Sequence, residues 1–193
     1  MWIEPVQLGG RSILLRPACA GDAGALFQAA EPHYFRHMTA PHPWNEDGFK
    51  VFLQKLIDAP DVVPFVIVRR DSGQVVGLTS YLDIRENHKG LEIGYTWIST
   101  PERGGVTNPE MKFLLLRHAF ERLGAIRVQL KTDQRNLHSQ AAISKLGAQR
   151  EGVLRHHMIM PDGHLRDTVV YSIVASEWPE VRHRLIHRLG YEP

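Results

Sequence analysis

The chain has 193 residues, with 43% apolar and 23% charged side chains, a balance that excludes disordered, collagen-like and low-complexity architectures. Lys and Arg number 23 against 21 Asp and Glu, so the net charge of +2 is not a nucleic-acid signature. The lone Cys19 cannot form an intrachain disulfide, the first residues lack a signal peptide's basic start and apolar run, and no apolar stretch approaches the ~20 residues that span a bilayer; a cytoplasmic single domain over residues 1–193 is expected.

Ser12 to Arg16 reads as a first strand closed by Pro17, and Asp22 can cap a short helix through Ala29. Residues 31–44 hold three prolines, three histidines and three aromatic residues with no steady period, which predicts a long shaped loop with about one helical turn. Asn45 then offers an N-cap for a helix that places Phe49, Phe52, Leu53, Leu56 and Ile57 on one face and ends near Ala59-Pro60. Phe65 to Arg69 and Val75 to Ile84, separated by Asp71-Ser72-Gly73, have the spacing of a hairpin. Leu91 to Ile98 alternates, which puts Leu91, Ile93, Tyr95 and Trp97 on one face and Glu92, Gly94, Thr96 and Ile98 on the other, and completes an antiparallel meander.

A glycine-bearing turn, Ser99 to Asn108, leads into a helix from Pro109 to Leu123. Its start is capped either by Asn108 or by a Thr107/Glu110 capping box, and Gly124 ends it. Ile126 to Thr132 is a strand and Asn136 to Leu146 a helix stopped at Gly147. Val153 to Met160 and Asp167 to Val174 are strands joined by a turn at Pro161-Asp162-Gly163, and Pro179 opens a last helix to about Leu189. The order β, α, α, three strands, α, β, α, two strands, α predicts one α+β domain around a central, mostly antiparallel sheet.

A glycine turn at a helix N-terminus supplies N–H donors and a positive dipole end for a phosphate, although this turn is neither a Walker sequence nor G-x-G-x-x-G. The histidine pairs His33/His37 and His183/His187 have i, i+4 spacing, but no HExxH, CxxC or third ligand accompanies them, so no metal is expected.

The ordered segments LEIGYTWI, then PERGGVTNPEMKFLLLRHAFERLGAIRVQLKTDQRNLHSQAAISKLGAQREGVLR, then DGHLRDTVVYSIVASEWP, cover about half of the chain. Together with the opening RSILLRPACAGDAGALF, this pattern resembles the GCN5-related N-acetyltransferases (GNAT), and more narrowly the branch that includes ribosomal-protein alanine N-acetyltransferases. The resemblance implies the GNAT fold, a mixed and mostly antiparallel sheet flanked by helices, and acetyl-CoA as acyl donor to an amine acceptor, a protein N-terminus or a small molecule, by direct attack in a ternary complex. It puts the pantetheine arm along the backbone of Trp97, Ile98 and Ser99 and the pyrophosphate on Arg103, Gly104, Gly105, Val106, Thr107 and Asn108. The family turn reads Q/R-x-x-G-x-G/A, and this chain has Arg103, Val106 and Asn108 at its fixed positions, with Gly104 and Gly105 between.

Lys112 and Lys145 are further candidates for CoA contacts. The resemblance makes Asn136 both a cap and a pantetheine contact. It places Ser139 near the sulfur as proton donor to the thiolate, and Glu92 is the candidate general base. His33, Tyr34, His37 and Trp44 belong to the loop that would wall the amine site. Neither a membrane nor a nucleic acid is an expected partner, and a homodimer is left open. The alternative from another class is a non-catalytic acyl-CoA binding module, suggested by the altered turn.

Overall fold

In the computed structural model, which describes residues 2–39 and 45–191, eight strands form one sheet in the order β1-β2-β3-β4-β5-β6-β8-β7. The strands are β1 (Leu8–Gly9), β2 (Ile13–Pro17), β3 (Val63–Arg69), β4 (Val75–Arg85), β5 (Gly90–Ile98), β6 (Arg127–Asp133), β7 (Gln149–Ile159) and β8 (Leu165–Val174). Every neighbouring pair is antiparallel except β5 with β6. The two-residue β1 is an addition to the sequence expectation, being too short to leave a periodic signal.

Among the described residues, five α-helices flank the sheet: α1 (Ala23–Ala29), α2 (Glu46–Asp58), α3 (Thr107–Arg117), α4 (Leu137–Ser144) and α5 (Trp178–Leu189). Helix α2 forms where the sequence predicts it: the Asn45 side chain accepts from the Gly48 amide at 2.7 Å, and Phe49, Phe52, Leu53 and Leu56 are buried. Each of those side chains contributes about 1.5–3 kcal/mol of apolar burial. With α1 and the 3-10 turn Pro32–Phe35 they cover one face of the sheet, over Val66, Leu78 and Trp97. The opposite face carries α3, α4 and α5 over Leu15, Phe65, Ile93, Leu130 and Tyr171.

Three local expectations are corrected. In β5, Leu91, Ile93 and Ile98 pack into the α3 side while Tyr95 and Trp97 pack into the α1/α2 side. The reason is a bulge: the register with β4 shifts between Ser80↔Gly94 and Leu78↔Trp97, and Tyr95 adopts φ +45°, so parity reverses within the strand.

Helix α3 begins at Thr107 rather than Pro109, its N-cap position is Val106, and no side chain caps it. The Thr107 hydroxyl instead donates to Glu102, and the buried Glu110 carboxylate accepts from the Arg11 and Ser12 amides and the Tyr191 hydroxyl. The third correction concerns the end of that helix. From His118 to Arg122 it widens into a π-helical segment, beginning where the buried Tyr81 hydroxyl donates to the Leu115 carbonyl at 2.6 Å.

Candidate active site

The parallel pair β5–β6 is joined only at Gly90↔Arg127, Leu91↔Val128 and Glu92↔Gln129. Beyond Glu92 the two strands part, so β5 carries an edge without a strand partner over its last six residues, Ile93 to Ile98. Being parallel, both strands run into helices at the same end, β5 through the turn at residues 99–106 into α3 and β6 into α4. Two helix N-termini therefore lie at the open end of the gap, each the positive end of a helix dipole.

The turn is built to stay open. Thr100–Glu102 forms a 3-10 turn, Gly104 takes φ +77°, and Gly104 to Val106 are exposed. With Thr107 and Glu110 engaged elsewhere, the first α3 amides have no side-chain cap, which is the donor set an anion needs. Gly104 is the left-handed residue of the turn, two positions before Val106, where the family pattern has glycine. The groups present therefore fit a pyrophosphate.

At α4 the Asn136 side chain accepts from the Ser139 amide at 3.0 Å, the expected cap, and holds the half-buried Ser139 in the first helical turn. Lys145 stands at the C-terminal cap of α4, about 12 Å by helix rise from the N-terminus of that helix.

Glu92, 8% exposed, lies on the α1/α2 side with its carboxylate 2.9 Å from the Lys131 ammonium. A Cβ on Gly94 would lie 3.2 Å from Glu92 Oε1 and 2.6 Å from Leu82 Cδ1, so the glycine makes room for this carboxylate beside the bulge. Lys112, read from the sequence as a surface phosphate contact, is buried instead; its ammonium donates to Thr96 Oγ1 at 3.3 Å, and that hydroxyl is 2.8 Å from Thr79 Oγ1. Burial lowers the Lys112 pKa to about 7, the Glu92 carboxylate acting in the opposite direction.

The loop residues divide their work. The Tyr34 hydroxyl donates to Glu31 at 2.7 Å and accepts from the Thr100 amide at 2.7 Å, and its ring stacks on Trp97. Arg103 lies over the Tyr34 ring, reaches His33 Nε2 at 3.2 Å and donates to the Ile98 carbonyl at 3.4 Å, so it folds back onto the loop rather than projecting as a free phosphate ligand. His33 and Tyr34 thus tie the loop to the turn.

His37 faces the Asp133 carboxylate, Nδ1 to Oδ2 3.7 Å, and burial lowers its pKa against the pull of that carboxylate. Trp44 lies outside the described residues. A cavity of about 280 Å³ opens between the loop (Pro32, His33, Phe35, Arg36, Met38) and the β7–β8 hairpin (Met160, Asp162). The hairpin side of this cavity and the buried Arg166 of β8 escaped the sequence reading, because register alone brings them opposite the loop.

Among the described residues no three His, Cys, Asp or Glu side chains gather as a metal-binding group, and no helix is long and apolar enough to cross a membrane.

Comparison with known proteins matches residues 12–149 to the family model for the acetyltransferase (GNAT) domain. An uncharacterized N-acetyltransferase of Bacillus subtilis (strain 168), YoaA, is 34% identical over 108 residues, 56% of this chain; the match spans only 60% of that relative's length. The crystal structure of an acetyltransferase-family protein from T. thermophilus superposes with a TM-score of 0.91 at 40% identity, covering 98% of this chain and 100% of that one. Mycobacterium smegmatis RimJ, solved in complex with CoA-disulfide, shares the fold at a TM-score of 0.81 and 24% identity, over 95% of each chain.

Proposed function

This chain belongs to the GNAT acetyltransferase family and is an N-acetyltransferase, and from that premise we propose that it acetylates a primary amine presented on the loop side of the gap between β5 and β6, with acetyl-CoA as donor. Acetyl-CoA supplies the acyl group as an activated thioester. The observation that carries the reading is the uncapped N-terminus of α3 at the mouth of a gap between two parallel strands. In this reading the backbone of Trp97, Ile98 and Ser99 holds the pantetheine arm as an added strand would, and the turn from Gly104 to Asn108 holds the pyrophosphate. Asn136 orients α4 and the pantetheine amide, and Lys112 lines the gap from the α3 side.

The remaining work falls to two side chains. Glu92, fixed by Lys131 and set beside the bulge, accepts the proton of the amine directly or through one water. Ser139, fixed in the first turn of α4, holds a proton for the departing thiolate. His33 and His37 shape the wall past which the amine enters, and both substrates are held together during direct attack.

The CoA-bound RimJ structure supports the donor assignment through the shared fold. A non-catalytic acyl-CoA module, raised by the altered turn, has no observation in its favour once Gly104 supplies the left-handed residue. The test is free-thiol release from acetyl-CoA in the presence of peptide N-termini, polyamines and aminoglycosides, with melting temperature followed as CoA is added. Accelerated release with at least one amine is expected; no acceleration by any amine together with no CoA-dependent stabilisation overturns the reading.

A further inference from the structure

Several charged groups on the loop side of the gap are paired. Glu92 pairs with Lys131 at 2.9 Å, Asp133 with Arg135 at 2.8 Å and Glu151 with Arg127 at 2.5 Å. Arg166 of β8 is buried with no carboxylate at ion-pair distance among the described residues. It is 8% exposed, its Nη1 donates to the His37 carbonyl at 3.3 Å, and its buried Nε has no partner among the described residues. The Asp133 and Glu92 carboxylates attract it from beyond ion-pair distance and Arg135 repels it, so it sits where the end of β6, the bulge of β5 and the loop converge.

A guanidinium buried with no carboxylate in contact carries a desolvation cost that the more distant Asp133 and Glu92 do not offset, and burial accordingly lowers its pKa. With Nη1 on the His37 carbonyl and Nε enclosed without a partner, Nη2 is the nitrogen left to donate to an incoming carboxylate oxygen. Its position also separates it from the donor. In β8, Val169, Tyr171 and Ile173 face the α3 side, so Arg166, at odd spacing from them, faces the loop side.

Resting on the acetyltransferase reading, we infer that Arg166 is the anion-binding group of the acceptor site, and that the amine acetylated carries a neighbouring carboxylate, as a free α-amino acid does. His37, whose carbonyl Arg166 holds, precedes Met38 of the cavity between the loop and the β7–β8 hairpin. The acceptor would place its carboxylate on Arg166 and its α-amine toward Glu92.

The experiment compares L-leucine and L-methionine with their primary amides in wild type, Arg166→Gln and Arg166→Lys, by thiol release and by the melting temperature of the CoA-loaded protein. In wild type the acids are expected to exceed the amides about tenfold or more in kcat/KM, the scale of one charge-assisted hydrogen-bond pair. Arg166→Gln should abolish that preference through KM for the acceptor with KM for acetyl-CoA unchanged, and Arg166→Lys, folded and still cationic but without the guanidinium's reach, should keep a reduced preference.

Equal use of acids and amides by wild type, or a preference that survives in Arg166→Gln, overturns the inference. If peptides or polyamines are acetylated and amino acids are not, the acetyltransferase reading stands and this inference falls. If no acceptor yields thiol, the binding arm decides: stabilisation by leucine but not leucinamide that depends on Arg166 supports the carboxylate subsite, and its absence overturns it.

Discussion

Lys112 shows how one residue can be assigned to the right neighbourhood for the wrong reason. Its place six residues into α3 suggests a solvated charge near phosphates, yet the helix turns it inward to Thr96. With a folded-state pKa of about 7 against an ordinary value of about 10.4, the unfolded chain binds a proton that the folded chain lacks between those limits. This group's contribution to stability therefore rises with pH through that window and is flat below it. Lys112→Met should melt higher than wild type near pH 6, with the difference closing toward pH 10, and should weaken acetyl-CoA binding. A melting-temperature difference that is constant with pH would contradict the buried, deprotonating amine.

Ser139→Ala should leave acetyl-CoA affinity unchanged and lower kcat, and Glu92→Gln should lower kcat by on the order of 10². Wild-type turnover in either variant, measured by thiol release under saturating donor, removes that residue from the mechanism. The backbone placement of both residues was legible in the sequence, Glu92 on a strand and Ser139 three residues after its cap. Arg166 was not legible, since what makes it distinctive is the lack of a partner, and partners are set by which strands lie side by side.

At the scale of elements, nearly every strand and helix is readable from periodicity, and the errors cluster where long-range contacts overrule a local rule. Alternation counted through Gly94 assigns Tyr95 and Trp97 to the wrong face, because one extra residue in a bulge inverts all that follow. The glycine inside the strand was the available signal. The α3 caps fail for a related reason: Thr107 and Glu110 have the right spacing for a capping box, but Glu102 and the β1–β2 turn compete for them and win.

The bulge also makes a prediction. Gly94→Ala would press on Leu82 and the Glu92 carboxylate, so stability should fall by about 1–3 kcal/mol, the usual cost of overpacking, while kcat falls further than Glu92-independent CoA binding. Denaturant melts and CoA titration separate the two effects. Loss of CoA binding without loss of kcat would mean the bulge serves the donor rather than the base.

Across the whole molecule, the loop of one sheet half is fastened to the donor turn of the same half by Glu31, Tyr34, Thr100 and Arg103. Tyr34→Phe removes the hydroxyl that receives the Thr100 amide and should raise KM for acetyl-CoA several-fold with little change in melting temperature, as steady-state kinetics would show. Unchanged KM would mean that the turn holds its shape without the loop.

The two halves of the sheet are themselves sewn together by only three residue pairs, after which the seam is open. Amide hydrogen exchange should find this seam: the β5 amides beyond Glu92 that do not bond to β4 trade their protons with solvent quickly in the free protein. A donor laid along that edge would act as a missing strand, so slowed exchange there would record, residue by residue, how far the bound molecule closes the seam.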